Sequence, residues 1–366
     1  MKRTLALFLS IILLLPAACA EPPVTDEQGR REIVMAYLML GDADSPFIYK
    51  EEIDAFQNRN PDYFITRVNY FADYVPNWKP RYPELGAANT VFWDPDYTEA
   101  YREAKQQLNT DLTVKAKSRK TPDILIIHNA SEYHEYARAG VLADLTEYYE
   151  RDIDQSAVFE NFFAAMQVEG KLYGLADGFY PQGLYMDRQF AGLDRSLAAM
   201  LALQKELDYP LLGDTDKMEA FNSWLRLYLH EFIDWETYRC DFGNSNFTAI
   251  LEMAESTPEI PETTYFDLAN KAAGTQKPFF VSKGVTVADY QAMSLLFGGN
   301  MAFANYPAEN PNGFSGAEDA LAVYVGSIYA IAKNSRYKDL AWDYIKAIVS
   351  EEYQKKHVAT SMNQMS

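Results

Sequence analysis

The chain of 366 residues is 48% apolar and 23% charged. This composition excludes a disordered or collagen-like protein and, at roughly 150 residues per domain, leaves room for about two domains. Its 33 Lys and Arg stand against 52 Asp and Glu, a net charge of −19, which argues against a general nucleic-acid binder, since that class needs a basic face to displace counterions. Tyr (26) outnumbers Gly (18), an inversion of ordinary usage, and surface or cleft positions are expected for many of these tyrosines.

The chain opens MKRTLALFLSIILLLPAACA, with Lys2 and Arg3, an apolar run from Leu5 to Leu15, and Ala17 and Ala18 before Cys19. The run is about half the ~20 residues a membrane helix needs, so the segment predicts an export signal. The small-small-Cys ending resembles a bacterial lipoprotein signal over residues 1–19, in which Cys19 becomes the lipidated N-terminus. An ordinary secretory signal cut nearby is the alternative. Loss of Lys2 and Arg3 leaves 31 basic against 52 acidic residues, a charge of −21. With Cys19 assigned to lipid, Cys240 is the remaining cysteine, so no intrachain disulfide is expected and stability rests on a sizeable core. Residues 20–31, with Pro22, Pro23 and Gly29 among polar neighbours, read as a flexible tether.

REIVMAYLML (31–40) is a near-continuous apolar run that suits a buried parallel strand. Ser45 as N-cap and Pro46 at the first helical position predict a helix with Tyr49, Ile53 and Phe56 on one face. YFITRVNYF (63–71) predicts a second strand. Beyond a loop rich in proline and aromatics, Asp96 and Glu99 start a helix carrying Tyr97, Tyr101, Ala104, Leu108 and Leu112 in register. TPDILIIHN (121–129) predicts a third strand. Two βαβ steps in succession argue for an open parallel α/β sheet.

From about Gln182 to Leu295 the chain reads as helix-rich, with helical spacing over Lys217–Phe232 and Asn246–Glu255. ALAVYVGSIYAIA (320–332) reads as one strand, followed by a helix over Lys338–Lys355 with Ala341, Ile345 and Ile348 on its buried face. This β-then-α order returns the chain to the first sheet. Lobe 1 is therefore expected over 32–178 with 320–366 returning to it, and a helix-rich lobe 2 over 179–319.

Catalytic and cofactor motifs are missing: there is no HExxH, no GxSxG, no GxGxxG and no phosphate loop. The four histidines show no zinc-ligand grouping beyond His128 and His134, six apart. Ser335–Lys338 matches SxxK without its KTG partner, and Asn334 and Ser335 are better explained as capping residues. Carboxylate pairs abound, yet a glycosidase needs two carboxyls at a fixed separation in space. No cofactor and no metal is expected.

Five segments, in order, resemble the extracellular solute-binding proteins of bacterial ABC importers, family 1, the sugar-binding group that includes maltose-binding protein. They are PDILIIH; ARAGVLADLTEYY (137–149), similar to the family's G-x-L-x-D-L step; VEGKLYGLADGFYP (168–181), similar to its dGKlYglP crossover; EFIDWETYRCDFGNSNFTAILEMA (231–254); and SIYAIAKNSRYKDLAWDYIKAIVSEEYQ (327–354). Ala176 stands where the family usually has Pro, and the sequence reaches Ser366 soon after the last segment. The resemblance implies a two-lobed, type II periplasmic-binding-protein-like α/β fold with a ligand cleft between the lobes, and a monomer that hands a small molecule, most simply a sugar, to ABC permease subunits. The lipoprotein-like signal ending at Cys19 implies a lipid-anchored location on the outer face of the cell membrane.

In open α/β sheets ligands bind beyond the carboxyl ends of strands. Asp42 and Asp44 follow the first strand, His128 and Asn129 the third, and Asp177, Phe179 and Tyr180 the crossover. These seven are the candidate ligand-binding residues. Asp and Asn suit sugar hydroxyls, as does His, and aromatic faces suit pyranose rings. Helix capping competes for Asp44 and Asn129, and loop packing for Phe179. Tyr101 and Trp342 read as core. A non-transporting lipoprotein sensor or scaffold and a secreted carbohydrate-active enzyme are the alternative functions.

Overall fold

The computed structural model describes residues 24–39, 50–75, 95–113, 122–157, 160–194, 197–207, 211–212, 217–234, 239–257, 280–284, 287–304 and 322–355. Cys19, Asp42, Asp44 and the expected Ser45–Pro46 helix start lie outside them. The chain divides into two compact units, 1–178 with 325–359 and 179–324 with 360–366.

The first unit begins with β1 (Arg31–Tyr37), α1 (Lys50–Arg59), β2 (Tyr63–Asn69), α2 (Tyr70–Tyr74), α3 (Pro95–Thr113) and β3 (Ile124–Ile127). It continues through α4 (Ala130–Arg138), α5 (Thr146–Asp152), α6 (Glu160–Met166) and β4 (Gly174–Ala176). It is completed by the returning β11 (Ile328–Ile331) and α11 (Lys338–Ile348). The sheet order is β2-β1-β3-β11-β4. β1 runs parallel to β2 and β3, whereas β11 lies antiparallel to both β3 and β4. The expected all-parallel sheet is thus a mixed one, because an apolar run specifies burial on both faces and carries no direction.

The apolar runs are buried as their composition dictates. Ile33 to Tyr37, all of β3 and all of β11 are buried. Asp123, fully buried before β3, accepts the Val34 N–H at 3.0 Å and the Ser335 hydroxyl at 2.6 Å, tying β1 and β3 to the turn that precedes α11. Helix α3 starts at Pro95, so Asp96 lies inside its first turn, and Ala104, Leu108 and Leu112 face the core. Helix α11 buries Ala341, Trp342, Tyr344, Ile345 and Ile348 at helical spacing. Further helical residues, 351–355, follow after a break at 349–350.

The described part of the expected tether is ordered. The Asp26 carboxylate accepts the N–H groups of Gln28 (3.0 Å) and Arg30 (2.9 Å) and the Arg30 Nε–H (2.7 Å), and Thr25 bridges to Arg31, so 24–30 fold back onto β1.

Among the described tyrosines about half are buried and the rest are half-buried or exposed, so the expectation of many surface positions holds beside a buried set. Tyr70, Tyr133, Tyr329 and Tyr344 are among the largest fully buried side chains of this unit. Such residues add apolar area and need a partner for the hydroxyl. Tyr70 donates to Asp111 at 2.8 Å and Tyr133 to the Met166 carbonyl at 2.9 Å.

The second unit holds β5 (Phe179–Asp187), α7 (Leu197–Leu207), α8 (Lys217–Phe232), β6 (Ile233–Asp234), β7 (Arg239–Cys240) and α9 (Ser245–Glu255). It continues through β8 (Phe280–Gly284), α10 (Val287–Leu296), β9 (Met301–Ala304) and β10 (Ala322–Val325). Its sheet runs β10-β5-β8, with β9 also paired to β5. Leu184, Met186, Met200, Trp224, Ile250 and Met253 form much of its core. The expectation of a merely helix-rich region missed this sheet. Gly183 is required inside β5, where a side chain would strike the Ala304 carbonyl and the Phe303 ring.

The largest correction concerns 320–332. In place of one strand, the run breaks at Gly326–Ser327, with β10 in the second sheet and β11 in the first.

Candidate functional site

Because β11 is antiparallel, its start lies beside the carboxyl ends of β3 and β4. Ile328 pairs with Ile127 on one side and Ala176 on the other. The residues one step further, His128, Ser327 and Asp177, therefore stand in a row across three strands. Ser327 Oγ lies 3.2 Å from His128 Nδ1, and the Asp177 N–H donates to the Ser327 carbonyl at 3.0 Å. The Gly326 N–H donates to the Gly178 carbonyl at 2.9 Å. The two segments that link the units are thus hydrogen-bonded to each other within the first unit.

Glycine at 326 has a steric cause. A Cβ there would overlap a carboxylate oxygen of Asp177 and approach the Gly178 carbonyl to 3.1 Å, so the bare backbone leaves the space in which the carboxylate sits. Asp177 is half-buried, and its own carbonyl accepts from Gln354 Nε2 at 2.7 Å.

His128 is solvent-exposed at the end of β3, yet the protein packed around its ring desolvates it and lowers its pKa, with the Glu132 carboxylate opposing. The imidazole is neutral at pH 7 and offers one donor and one acceptor. Glu132 is held at the first turn of α4 by the Tyr101 hydroxyl (2.8 Å) and Lys105 (3.3 Å). At the neighbouring strand ends Asn69, buried, donates to the Met39 carbonyl at 3.1 Å and caps α2 by accepting the Phe71 N–H at 3.2 Å.

Of the sequence candidates, His128 and Asp177 are brought together through Ser327. The side chain of Asn129 caps α4, accepting the Ser131 N–H at 2.8 Å, the competing role that its position allowed. Phe179, half-buried, opens β5 in the second unit, and Tyr180 continues that strand. Ser327 and Gly326 were not singled out in the sequence. The small-residue pair inside an otherwise apolar thirteen-residue run was the available signal.

A separate cavity of about 670 Å³ lies in the first unit between α1 and the α11 region, lined by Glu51, Glu52, Arg59, Asp343, Lys346 and Tyr353 among others. It contains none of the strand-end residues, and its walls come from α1, α11 and the residues that follow them, with charged side chains among alanines, tyrosines and other uncharged ones. The strand ends are the better candidate, because polar groups from three strands and the two linking segments meet there.

No protein-family model matches the chain, and no curated protein matches its sequence. Solved structures do match. The sugar-binding protein MalE of Xanthomonas citri aligns with TM-score 0.53 and 15% identity, covering 90% of this chain and 77% of its own. An extracellular solute-binding protein family 1 structure from Alicyclobacillus acidocaldarius aligns with TM-score 0.52 and 15% identity over 91% of this chain and 78% of its own. An ABC transporter solute-binding protein from Thermotoga lettingae, solved with α-D-tagatose, aligns with TM-score 0.50 and 13% identity over 90% and 79%. The fold of this chain is that of the two-lobed solute-binding proteins. At this level of identity the likeness is one of fold.

Proposed function

We propose that this protein is an extracytoplasmic solute-binding protein that captures a carbohydrate and delivers it to an ABC permease. The observation that carries this reading is the row His128, Ser327 and Asp177 at the strand ends where the chain leaves and re-enters the first unit. A neutral imidazole, a hydroxyl and a carboxylate suit an uncharged ligand rich in hydroxyls, and Phe179 and Tyr180 beyond the crossover supply faces for a sugar ring. The likeness to the tagatose-bound Thermotoga protein supports the same ligand class. Asp42 and Asp44, which follow β1 in sequence, belong to the proposed site by position. No covalent step is required: ligand draws the two units closed through its higher affinity for the closed form. Cys19 carries the lipid that holds the protein at the outer face of the cell membrane.

A thermal-shift screen over mono- and oligosaccharides tests the ligand class, because a sugar at one hundred times its dissociation constant adds roughly 2.7 kcal/mol to stability. No shift with any sugar would refute carbohydrate capture, and hydrolysis of an oligosaccharide by pure protein would redirect the reading to an enzyme. Wild type in the membrane fraction and Cys19→Ser in the soluble fraction is the expected result for the anchor. Wild type found entirely in the medium would overturn it.

A further inference from the structure

Gln354 lies in the helical residues that follow α11, on the last letter of the SEEYQ segment. Its side chain reaches back to two backbone carbonyls. Nε2 donates to the Asp177 carbonyl at 2.7 Å and to the Ile348 carbonyl at 3.0 Å, while the Gln354 N–H donates to Ser350. Both side-chain partners are acceptors, so only the amide NH2 can face them, and the orientation of the group follows from chemistry. The Ile348 carbonyl is one of the orphan acceptors that the end of α11 leaves open. The Asp177 carbonyl belongs to the last peptide unit before the chain leaves the first unit after Gly178.

We propose that Gln354 is a positioning residue. One amide clips the exit segment at Asp177 to the end of α11, and so keeps the Asp177 carboxylate in place over Gly326. Three hydrogen bonds then fix the linking segments on the side of the first unit: Asp177 N–H to Ser327, Gly326 N–H to Gly178, and Gln354 to Asp177. The importance of this clip for ligand capture rests on the function proposed above, but the clip itself does not.

Hydrogen exchange on the ligand-free full chain tests it. In Gln354→Ala, peptides covering 174–178 and 326–329 should exchange about tenfold faster, the scale expected for losing a net hydrogen bond or two, while peptides covering β1 and β3 keep wild-type rates. Gln354→Glu preserves side-chain volume and removes the donor, so above its carboxyl titration it should loosen the same two peptides at least as much. Wild-type exchange at these peptides in either variant would overturn the proposal. So would equal acceleration throughout the first unit, which would make Gln354 a general packing residue. If the two peptides loosen locally and no sugar binds the wild type, the clip stands and the carbohydrate reading fails.

Discussion

Gly326→Ala interrogates the packing at the strand ends. Gly326 has no left-handed φ, so alanine meets no backbone strain and its cost is steric. The new methyl would overlap a carboxylate oxygen of Asp177 and come within 3.4 Å of its Cγ. The backbone cannot retreat freely, because the Gly326 N–H holds the Gly178 carbonyl at 2.9 Å. Overpacking of this kind costs ~1–3 kcal/mol. In an Asp177→Ala background the overlapping oxygen is gone, and the same substitution should cost less by about 1 kcal/mol or more. Urea unfolding of the four proteins, followed by circular dichroism, measures that coupling. Strictly additive losses would refute the placement of the carboxylate over Gly326, and with it the reason for glycine at this position.

Asp177→Ala should weaken binding of the sugar that gives the largest thermal shift by about tenfold or more, as expected for hydrogen bonds to a carboxylate. Asp343→Ala, which removes an exposed partner of Lys346 at 3.3 Å, should leave calorimetric affinity unchanged. Equal effects of the two would discard the site. Removing the carboxylate in Asp123→Ala orphans the buried Val34 N–H and the Ser335 hydroxyl and should cost ~3–5 kcal/mol in denaturant unfolding, with Asp123→Asn losing roughly half of that; a loss under ~1 kcal/mol would contradict the clamp. Hydrogen bonds from Arg151 and from Trp342 Nε1 hold the Asp152 carboxyl well below the usual carboxylate range. With the folded pKa depressed, this contribution is full above the ordinary Asp value near 4 and is lost as pH falls below it. Acid titration of Asp152→Asn should therefore show a shallower loss of stability below about pH 4, and an acid limb identical to wild type would count against this role.

Much of the first unit was legible because its strands are buried on both faces. Ile33–Tyr37, Ile124–Ile127 and Ile328–Ile331 are continuous apolar runs, and a run of that kind has few other destinations. Direction and partner were not legible. Nothing in IYAI distinguishes a parallel from an antiparallel neighbour, and nothing in ALAVYVGSIYAIA marks where it changes sheets except Gly326–Ser327, whose small side chains also fit a strand interior. His128 and Asp177 were readable as strand-end residues. Ser327 was not, since it sits inside what reads as a single strand. Asn129 shows the limit of positional reasoning: one residue between a strand and a helix can face a ligand or cap the helix, and its carbonyl oxygen is bonded to the Ser131 N–H. Which tyrosines go inside was not legible, because composition counts hydroxyls without showing that Asp111 and the Met166 carbonyl wait for Tyr70 and Tyr133.

The position of β11 also dictates the order in which the first unit can be made. β4 lies at the edge of the sheet, bonded to β11 alone among the described strands, and β11 separates it from β3. About 150 residues lie between β4 and β11 in the chain, so at ribosomal rates of roughly 5–20 residues per second the sheet waits about eight to thirty seconds for its fifth and last-made strand. Until then β3 and β4 present open edges, the kind of surface that pairs with other chains and that chaperones cover. Completion of this sheet is therefore a late event that depends on the C-terminal part of the sequence, while β2, β1 and β3 can pair before it.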